Sequence, residues 1–496
     1  MRRRLLLLLA GLALAAPTFN NPVLPGDHPD PTVVAADGAY YLSATASAWA
    51  PVFPIFRSTD LVNWSQVSAV LPSPPRWANG KFWAPELTTE PGRVMAYWGA
   101  ARRDGRPCIA LSTATRPEGP WRYRGRVTCP PRGAIDASPF RDADGSRWLL
   151  WKELGVGGGI RIAPLTPDGR RLSGASQLLI FPDAAWEQKV TEGPALVRSG
   201  DQYLLFYSGG HCCRVPCSYG EGVARATSLL GPYVKDPDNP ILRSGPDFKC
   251  PGHGTIVSVP GGGLMLVHHA YRADDALDLR RQVFIDPVSI DADGWPVVGQ
   301  DATTVASGSS PLGAVQQPAP TSFSDRFDGP LAPGWEWLYY ARPDVQTAKS
   351  GLTERCDGPL RFIARQVTAD RLTVTTAIDP PARDAAAGLA VDVGTGAGLR
   401  GVEMRYGRVR AFVAGSGGAV TGPQVAVPPG QGRILLTVGL APGGSLATYV
   451  ARASAPGALT RVPEGPAATG PQATRIALTC RGHGAADFAY VRVRPG

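Results

Sequence analysis

A unit that recurs five times between residues 30 and 267 constrains this chain more than any other feature. Most copies begin with a polar residue, continue as a short apolar strand, turn, and return as a second strand rich in aromatic or apolar residues. In the first copy, Asp37 and Gly38 separate the two runs, which is a strong hairpin signal. The copies start at residues 30, 84, 136, 192 and 253. This spacing is typical of propeller blades built from four short strands.

The repeat predicts an all-β chain with a five-bladed β-propeller over residues 20–305; five hairpins in a β-sandwich array are the alternative. Residues 306–322 are rich in Ser, Gly, Pro and Gln and show no periodicity, which indicates a linker. Residues 323–496 contain short alternating segments between Gly-rich turns, and they predict a separate β-sandwich domain. The 59 Gly and 49 Pro in 496 residues agree with a fold rich in turns.

The first residues indicate export. Three arginines precede an apolar run from Leu5 to about Leu14, and Ala13-Leu14-Ala15 forms a small-x-small cleavage signal. We therefore expect residues 1–15 to be a signal peptide and the protein to be secreted, extracellular or periplasmic. No later run reaches the roughly 18 apolar residues of a membrane span. The formal charge of +9 falls to about +6 without the leader and forms no basic stripe, which argues against a nucleic-acid partner.

Eight cysteines in an exported chain favour disulfides over metal sites. Cys108 and Cys129 flank one short segment, and Cys356 and Cys480 both lie in the last third of the chain. A middle group has two readings, disulfides or a zinc site that uses Cys213 and Cys217. Its members are Cys212, Cys213, Cys217 and Cys250.

The starts of the repeats are where chemistry is expected, because the inner strands of a propeller converge on one channel. Asp30, Asp136, Glu192 and His253 stand at four of the five starts. Any one acid alone would be taken as a solvated surface group, but their shared repeat register predicts one cluster. Converging carboxylates without a nucleophilic Ser or Cys motif suit the hydrolysis of acetals. One acid protonates the leaving oxygen, a second activates water or attacks, and the third orients them.

Several motifs, in this order, resemble glycoside hydrolase family 43 over about residues 20–300. They are Asn21-Pro22-Val23-Leu24 with His28-Pro29-Asp30-Pro31, Ser58-Thr59-Asp60-Leu61-Val62-Asn63-Trp64, Trp83-Ala84-Pro85-Glu86-Leu87, Ile135-Asp136-Ala137-Ser138, Glu192-Gly193-Pro194, and Arg281 with Asp286-Pro287. The resemblance implies a five-bladed propeller and an inverting hydrolase of α-L-arabinofuranosyl or β-D-xylosyl linkages in plant polysaccharides or oligosaccharides. By matching position, Asp30 would be the general base, Glu192 the general acid, and Asp136 the residue that orients and tunes the acid.

The resemblance also makes expectations about geometry and ligands. An inverting enzyme must fit water beside the sugar, so the Asp30 and Glu192 carboxyls should lie roughly 6.5–9.5 Å apart. Arg281 would hydrogen-bond the sugar in the innermost subsite. His253 would be the central histidine beside a calcium ion in the channel, held partly through water, although a purely structural histidine is an equal alternative. No cofactor is expected for the chemistry itself.

Other residues are candidates for substrate contact. Trp83 and Trp98 lie beside predicted inner strands and could offer flat faces to sugar rings, with core packing as the alternative. Glu86 could be purely structural. His211 and the adjoining Cys212, Cys213 and Cys217 fall outside the family motifs and could shape substrate choice. Finally, Phe327-Asp328-Gly329 through Trp335-Glu336-Trp337 is similar to the start of concanavalin-like sandwich domains.

Two other functions compete with the inverting hydrolase. One is a propeller that binds carbohydrate without cleaving it, which the presence of all three acids disfavours. The other is a related five-bladed enzyme that acts on fructans with retention. There the residue at the base position would be a nucleophile, with a carboxyl separation of only about 5–5.5 Å.

Overall fold

A computed structural model describes residues 17–214, 216–274, 280–318, 321–369, 371–382, 384–392, 398–415, 418–441, 445–463 and 475–495. The predicted signal peptide, residues 1–15, lies outside this part of the chain. Within it the fold is almost entirely β, with one short 3-10 helix at Ala185–Glu187. Among the described residues, no helix has the length and apolar character needed to cross a membrane.

The first part of the chain forms five four-stranded antiparallel sheets, so the prediction of a five-bladed propeller is confirmed. In chain order its strands are β1 Thr18–Asn20, β2 Thr32–Ala36, β3 Ala39–Ser43, β4 Trp49–Ala50, β5 Val52–Ser58, β6 Ser65–Leu71, β7 Trp83–Glu90, β8 Arg93–Ala101, β9 Pro107–Ala114, β10 Arg122–Thr128, β11 Ala134–Arg141, β12 Arg147–Glu153, β13 Ile160–Pro164, β14 Gln177–Ile180, β15 Thr191–Ser199, β16 Gln202–Gly209, β17 Gly220–Ala226, β18 Val234–Lys235, β19 Phe248–Ser258, β20 Leu264–Arg272, β21 Gln282–Ile290, β22 Pro296–Val298 and β23 Ser307–Ser309.

Each blade begins at its inner strand. The blades are β2-β3-β5-β6, β7-β8-β9-β10, β11-β12-β13-β14, β15-β16-β17-β18 and β19-β20-β21-β22. Apolar side chains of adjacent blades pack face to face, as Phe53 of the first blade and Trp98 of the second do in one buried cluster. The inner strands contact one another around the channel, which brings their first residues together.

A backbone feature repeats in or just before every inner strand, where one residue takes a left-handed conformation. These residues are Asp30 (φ 53°), Ala84 (φ 42°), Asp136 (φ 56°), Gly193 (φ 56°) and His253 (φ 53°). In the last four blades this residue lies where the pairing register with the second strand shifts. Such bulges turn a side chain away from the regular pleat. In the fourth blade the left-handed residue is thus Gly193, one residue after the predicted repeat start at Glu192.

The segment predicted as a linker does not leave the propeller at residue 306. Its strand β23 pairs with β1 near the start of the described chain, Thr18 opposite Ser309. Gln316 then continues this contact, because its side chain accepts a hydrogen bond from the Asn20 backbone N–H at 2.6 Å and donates to the Asn20 carbonyl at 2.9 Å. A Ser- and Gly-rich composition did not reveal this strand, because β23 gains its stability from pairing and not from apolar side chains.

The second part of the chain is a β-sandwich, as predicted. Its strands are β24 Phe323–Asp325, β25 Trp335–Leu338, β26 Asp344–Ala348, β27 Gly351–Gln366, β28 Leu372–Ile378, β29 Asp384–Asp392, β30 Leu399–Arg405, β31 Arg408–Gly415, β32 Gly418–Ala426, β33 Ile434–Leu440, β34 Leu446–Arg452, β35 Thr460–Val462 and β36 Arg475–Pro495. The long strand β36 pairs with β27 and β29 over its first part and with β28 over its last part, so it serves both layers. An apolar core lies between the layers.

All eight cysteines form disulfides, so the zinc alternative is wrong for the middle group. The pairs are Cys108–Cys129, Cys212–Cys213, Cys217–Cys250 and Cys356–Cys480. Four disulfides are typical of proteins that fold in an oxidising compartment.

The two domains share a substantial contact. Strand β25 of the sandwich pairs with β4 of the first blade, with Trp337 opposite Ala50. The Trp337 side chain is buried in the same apolar cluster as Phe53 and Trp98 of the propeller. A cleft of about 980 Å³ lies along this junction.

Candidate active site

Asp30 is anchored at the mouth of the channel. One carboxylate oxygen accepts a hydrogen bond from the Thr45 hydroxyl at 2.6 Å, and the other accepts one from the Arg281 guanidinium at 2.9 Å. His253 Nδ1 lies 3.6 Å from the second oxygen. Burial alone would raise the pKa of Asp30, but the positive charges of Arg281 and then His253 outweigh it and hold that pKa well below its usual range. Asp30 is therefore ionised at any working pH.

Glu192 lies on β15 with a separate set of partners. Its Oε2 is 2.5 Å from Lys152 Nζ, and its Oε1 accepts a hydrogen bond from the Tyr219 hydroxyl at 2.8 Å. Burial raises the pKa of Tyr219 well above its usual value, so this phenol stays a donor. Burial lowers the pKa of Lys152, but the negative charges of Glu192 and Asp136 outweigh it and the net shift is upward. Lys152 is therefore a cation.

Asp136 is the third acid of the site, and the charges of both Glu192 and Asp30 affect its pKa. It is 6% exposed, and its Oδ2 accepts a hydrogen bond from the Gly193 backbone N–H at 3.0 Å, directly beside Glu192. Burial raises the pKa of Asp136 to about 6, the charge of His253 opposes that shift, and the charge of Glu192 adds to it. Asp136 thus exchanges its proton near the pH at which many hydrolases work.

His253 lies close to the acids of the channel, 3.6 Å from Asp30. Its backbone N–H donates to the Ser208 hydroxyl oxygen at 2.7 Å. Burial lowers the pKa of the imidazole, but four carboxylates, with Asp30 contributing most, raise it above the usual value. Glu86 is one of the four, and burial raises the pKa of its own carboxyl to about 8. Glu86 is therefore mostly protonated at neutral pH, and a purely structural role for it stays a prediction.

The residues around His253 do not by themselves fit a calcium ion. Calcium requires six to eight oxygen ligands, roughly, and among the described residues no group of three or more His, Cys, Asp or Glu is placed to hold a metal. The carboxylate of Asp30, 3.6 Å from the imidazole, is already bound by Thr45 and Arg281. A calcium ion in the channel stays a prediction in which water would supply most ligands, and we derive no catalytic step through it.

The two tryptophans predicted to bind sugar differ in position. Trp83 begins β7, is half-buried, and has Lys81 Nζ 5.4 Å from its ring centroid. Trp98 is fully buried, stacks on Trp77 at 5.9 Å between centroids, and donates to the Ser112 hydroxyl at 3.1 Å. The prediction that Trp98 offers a face to substrate is therefore wrong. Its strand, β8, is the second of its blade, and its side chain points between blades.

Sequence reasoning missed four groups that surround the acids. Thr45, Lys152 and Tyr219 bond the carboxylates directly, and His269 accepts a hydrogen bond from the Asp30 backbone N–H at 3.1 Å. Lys152 and His269 lie on the second strands of their blades, and Thr45 and Tyr219 lie in connecting segments, all outside the repeat starts. The only signal was a charged or polar residue within or beside an apolar strand, such as Lys152 directly after Trp151.

The loop with His211 lies next to these groups. Its cysteine pair, Cys212–Cys213, is disulfide-bonded, and the Tyr271 hydroxyl donates to the Cys212 carbonyl at 3.2 Å. The side chain of Cys212 packs against a buried cluster that contains Tyr219, the partner of Glu192. The loop therefore borders the acid, although no contact with a sugar follows from this placement.

The arrangement provides two carboxylates with different surroundings around one channel. Asp30 is bound by a guanidinium and a hydroxyl, and Glu192 by an ammonium and a phenol. They share none of these partners, while His253 interacts electrostatically with both. Two carboxyls with separate partners at one channel suit the two roles that the hydrolysis of an acetal requires.

Comparisons with known proteins agree with this chemistry. Residues 19–296 match the family model described as glycosyl hydrolases family 43. The chain is 28% identical over 326 residues to a non-reducing end alpha-L-arabinofuranosidase of Bacteroides ovatus, covering 60% of this chain and 58% of that protein. It is 30% identical over 273 residues to a xylosidase/arabinosidase of Humicola insolens, covering 51% of this chain and 49% of that protein. The chain thus spans about half to three fifths of the length of these relatives.

A solved structure extends the likeness to both domains. The crystal structure of the GH43 BlXynB protein from Bacillus licheniformis superposes with a TM-score of 0.79 at 21% sequence identity, covering 97% of this chain and all of that one. At this identity the match supports the architecture, a propeller followed by a sandwich.

Proposed function

This chain belongs to glycosyl hydrolase family 43, and from that premise we propose that it is an exported hydrolase of α-L-arabinofuranosyl or β-D-xylosyl linkages in plant polysaccharides or oligosaccharides. We further propose that it inverts the configuration of the anomeric carbon. The names of the relatives, an arabinofuranosidase and a xylosidase/arabinosidase, support this choice of sugars. The four disulfides and the leader support export.

One observation carries the proposal: Asp30 and Glu192 reach the same channel with independent partners. Asp30 is kept ionised by Arg281, as a general base requires. Glu192 lies beside Asp136. The pKa of Asp136 is raised to about 6, so Asp136 gains and loses its proton near neutral pH.

In the proposed reaction, protonated Glu192 donates its proton to the glycosidic oxygen while the bond from that oxygen to the anomeric carbon breaks. Asp30 accepts a proton from a water molecule, whose oxygen forms the new bond to the anomeric carbon from the opposite face. The products are the leaving-group alcohol and a sugar of inverted configuration. Lys152 stabilises the negative charge that Glu192 gains. We propose that Arg281, whose guanidinium lies 2.9 Å from Asp30, also hydrogen-bonds the sugar.

The test is the release of sugar from arabinan, arabinoxylan, xylo-oligosaccharides and levan, with products identified by chromatography and the first-formed anomer by proton NMR. We expect release of arabinose or xylose with inversion. Glu192→Gln and Asp30→Asn should each lose about 10²- to 10⁴-fold in kcat. Asp201→Asn, at an exposed turn, is the matched control and should match the parent.

Two results would contradict the proposal. Binding of these glycans without release would make the propeller a binding module. Release of fructose from levan with retention would place a nucleophile at Asp30.

A further inference from the structure

We propose that Gln366 and Arg475 of the β-sandwich domain are positioning residues for Asp30, so that the second domain is a working part of the hydrolytic site. The inference rests on the function proposed above, in which Asp30 is the general base. Two series of contacts support it. Each runs from the sandwich to one of the side chains that bond the Asp30 carboxylate, Arg281 or Thr45.

The first chain begins at Gln366, the last residue of β27. Its Oε1 accepts a hydrogen bond from the Asp27 backbone N–H at 2.9 Å, and its Nε2 donates to the Asp27 carbonyl at 3.4 Å. The preceding residue is Gly26, with φ 118°, and a Cβ there would lie 2.8 Å from Gln366 Oε1. The positive φ favours glycine at this position, and the absence of a side chain there leaves room for the Gln366 amide beside Asp27.

Asp27 passes this contact on to Arg281. The Arg281 backbone N–H donates to Asp27 Oδ1 at 3.3 Å, and the Arg281 carbonyl accepts from the His28 backbone N–H at 2.8 Å. The Arg281 guanidinium in turn bonds Asp30 Oδ1 at 2.9 Å. Gln366 therefore fixes the backbone segment against which Arg281 is aligned.

The second chain begins at Arg475, the first residue of β36. Its side chain is 6% exposed, and its Nε lies 2.5 Å from Glu336 Oε1 of β25. Its guanidinium carbon lies 3.9 Å from the ring centroid of Trp49 in the propeller, a cation–π contact. The neighbouring pairing of β4 with β25 fixes Trp49 against the sandwich.

Trp49 ends a short segment that starts at Thr45. The Thr45 backbone N–H donates to the Pro29 carbonyl at 2.8 Å, and its hydroxyl donates to Asp30 Oδ2 at 2.6 Å. The same hydroxyl oxygen accepts from the Ala84 backbone N–H at 2.6 Å, so its orientation is fixed. Displacement of Trp49 would therefore shift Thr45, four positions earlier in the chain, and with it the hydroxyl that bonds Asp30.

Both hydrogen bonds from side chains to the Asp30 carboxylate thus depend on segments that the sandwich holds. The charges agree with this arrangement, because Arg475 also interacts favourably with the partly buried Asp27. Without the guanidinium, Asp27 and Glu336 would be two partly buried acids with less compensation, and the segment at residues 27–30 would shift to relieve them.

The test measures steady-state kinetics of full-length Gln366→Met, which removes both hydrogen bonds to Asp27 at nearly constant size. Its matched control is Gln316→Met, because Gln316 makes the same pair of bonds to the Asn20 backbone, and Asn20 has no part in the contacts described above between Asp27, Arg281 and Asp30. Arg475→Met and Arg475→Lys form a second pair, in which lysine keeps the charge and should restore part of the loss.

Two kinds of substrate separate a positioning role from a general loss of structure. A 4-nitrophenyl glycoside of arabinofuranose or xylose releases a good leaving group, so Glu192→Gln should lose much less on it than on the matching oligosaccharide. Asp30→Asn should lose by a similar factor on both, because water attack is needed in each case. Gln366→Met should follow the Asp30 pattern, with kcat lower by about 10- to 100-fold and KM within about twofold.

Several results would overturn the inference. They are an unchanged kcat in Gln366→Met, a loss confined to the oligosaccharide, a rise in KM alone, or an equal loss in Gln316→Met. If Arg475→Met does not fold, Gln366→Met decides the question. If the parent protein releases no sugar from either substrate, the proposed function fails and this inference fails with it.

Discussion

The three acids of the site differ most in what their surroundings do to their charge. Asp30 is held ionised by Arg281, whereas the buried Asp136 has no cationic partner at hydrogen-bond distance among the described residues. That these acids stand at or beside the repeat starts could be predicted from the sequence, because the repeat register brings the inner strands together at one channel. The partners could not, because Lys152 and Tyr219 come from positions that the repeat does not mark.

Asp136→Asn should increase stability at neutral pH while it lowers activity. The folded-state pKa is raised from 3.8 to about 6, so the folded protein binds this proton more tightly than the unfolded chain does. The favourable contribution is complete below pH 3.8 and is lost as pH rises through 6. At pH 7.5 the variant should therefore gain up to about 3 kcal/mol over the parent, at 1.36 kcal/mol per pKa unit, approximately.

Thermal unfolding at pH 7.5, 5 and 4, together with kcat at each pH, checks this prediction. The gain should shrink toward pH 4, and Asp201→Asn should show no such trend. A variant that is less stable at pH 7.5 would mean that the charge of Asp136 is compensated in the folded state.

Substitution of Trp98 should lower stability, whereas substitution of Trp83 should weaken substrate binding. Trp98→Ala removes a fully buried side chain and should cost about 3–5 kcal/mol in unfolding free energy, with KM nearly unchanged in the folded fraction. Trp83→Ala should leave stability within about 1 kcal/mol, because Trp83 is half-buried, and raise KM. Denaturant unfolding and substrate titration measure the two effects. A raised KM in Trp98→Ala with unchanged stability would restore the rejected substrate role.

At the scale of the strand, hairpin signals and spacing were sufficient to predict five blades, because each inner strand is followed by a turn and an apolar return strand. Spacing could not locate the bulges. The left-handed residue of the fourth blade is Gly193 and not Glu192, which a count of residues between repeats cannot distinguish. Strand β23 was missed because its residues, Ser307–Ser309, carry no hydrophobic pattern.

Gly193→Ala tests what the bulge does for the site. Its φ is 56°, and an added Cβ would lie 3.1 Å from the His253 ring, while the Gly193 N–H is the donor to Asp136. Gly200 is a matched control, because its φ is 58° and nothing lies within 4 Å of an added Cβ. Both alanine variants should lose about 1 kcal/mol or more from backbone strain.

Only Gly193→Ala should also lose activity, by about tenfold or more, since a small displacement at the reacting groups is enough. Melting temperature and kcat of the two variants give the comparison. Equal kcat values in both would show that the site tolerates movement of His253 and Asp136.

At the scale of the molecule, the boundary between the domains is the part that the sequence described least well. The motif around Trp335 and Trp337 predicted the start of a sandwich, yet Trp337 is 8% exposed and packs in the propeller cluster. A motif can indicate a domain type, but it carries no information on which side chains that domain places into its neighbour. The contacts between the two domains could therefore be identified only from the structure.

Because Trp337 belongs to the core of the other domain, we expect the two domains to unfold together. Calorimetry of the intact protein should show one transition, and Trp337→Ala should lower its midpoint or split it in two, since the truncation costs about 3–5 kcal/mol at the interface. Trp335→Ala is the control, because Trp335 packs in the core of the sandwich and donates to Asp325 at 2.8 Å within the same domain. It should destabilise the sandwich first and leave the contact of Trp337 with the propeller in place. Two separate transitions in the unmodified protein would show that the buried tryptophan does not couple the domains, and would also weaken the case for an Asp30 held from the sandwich.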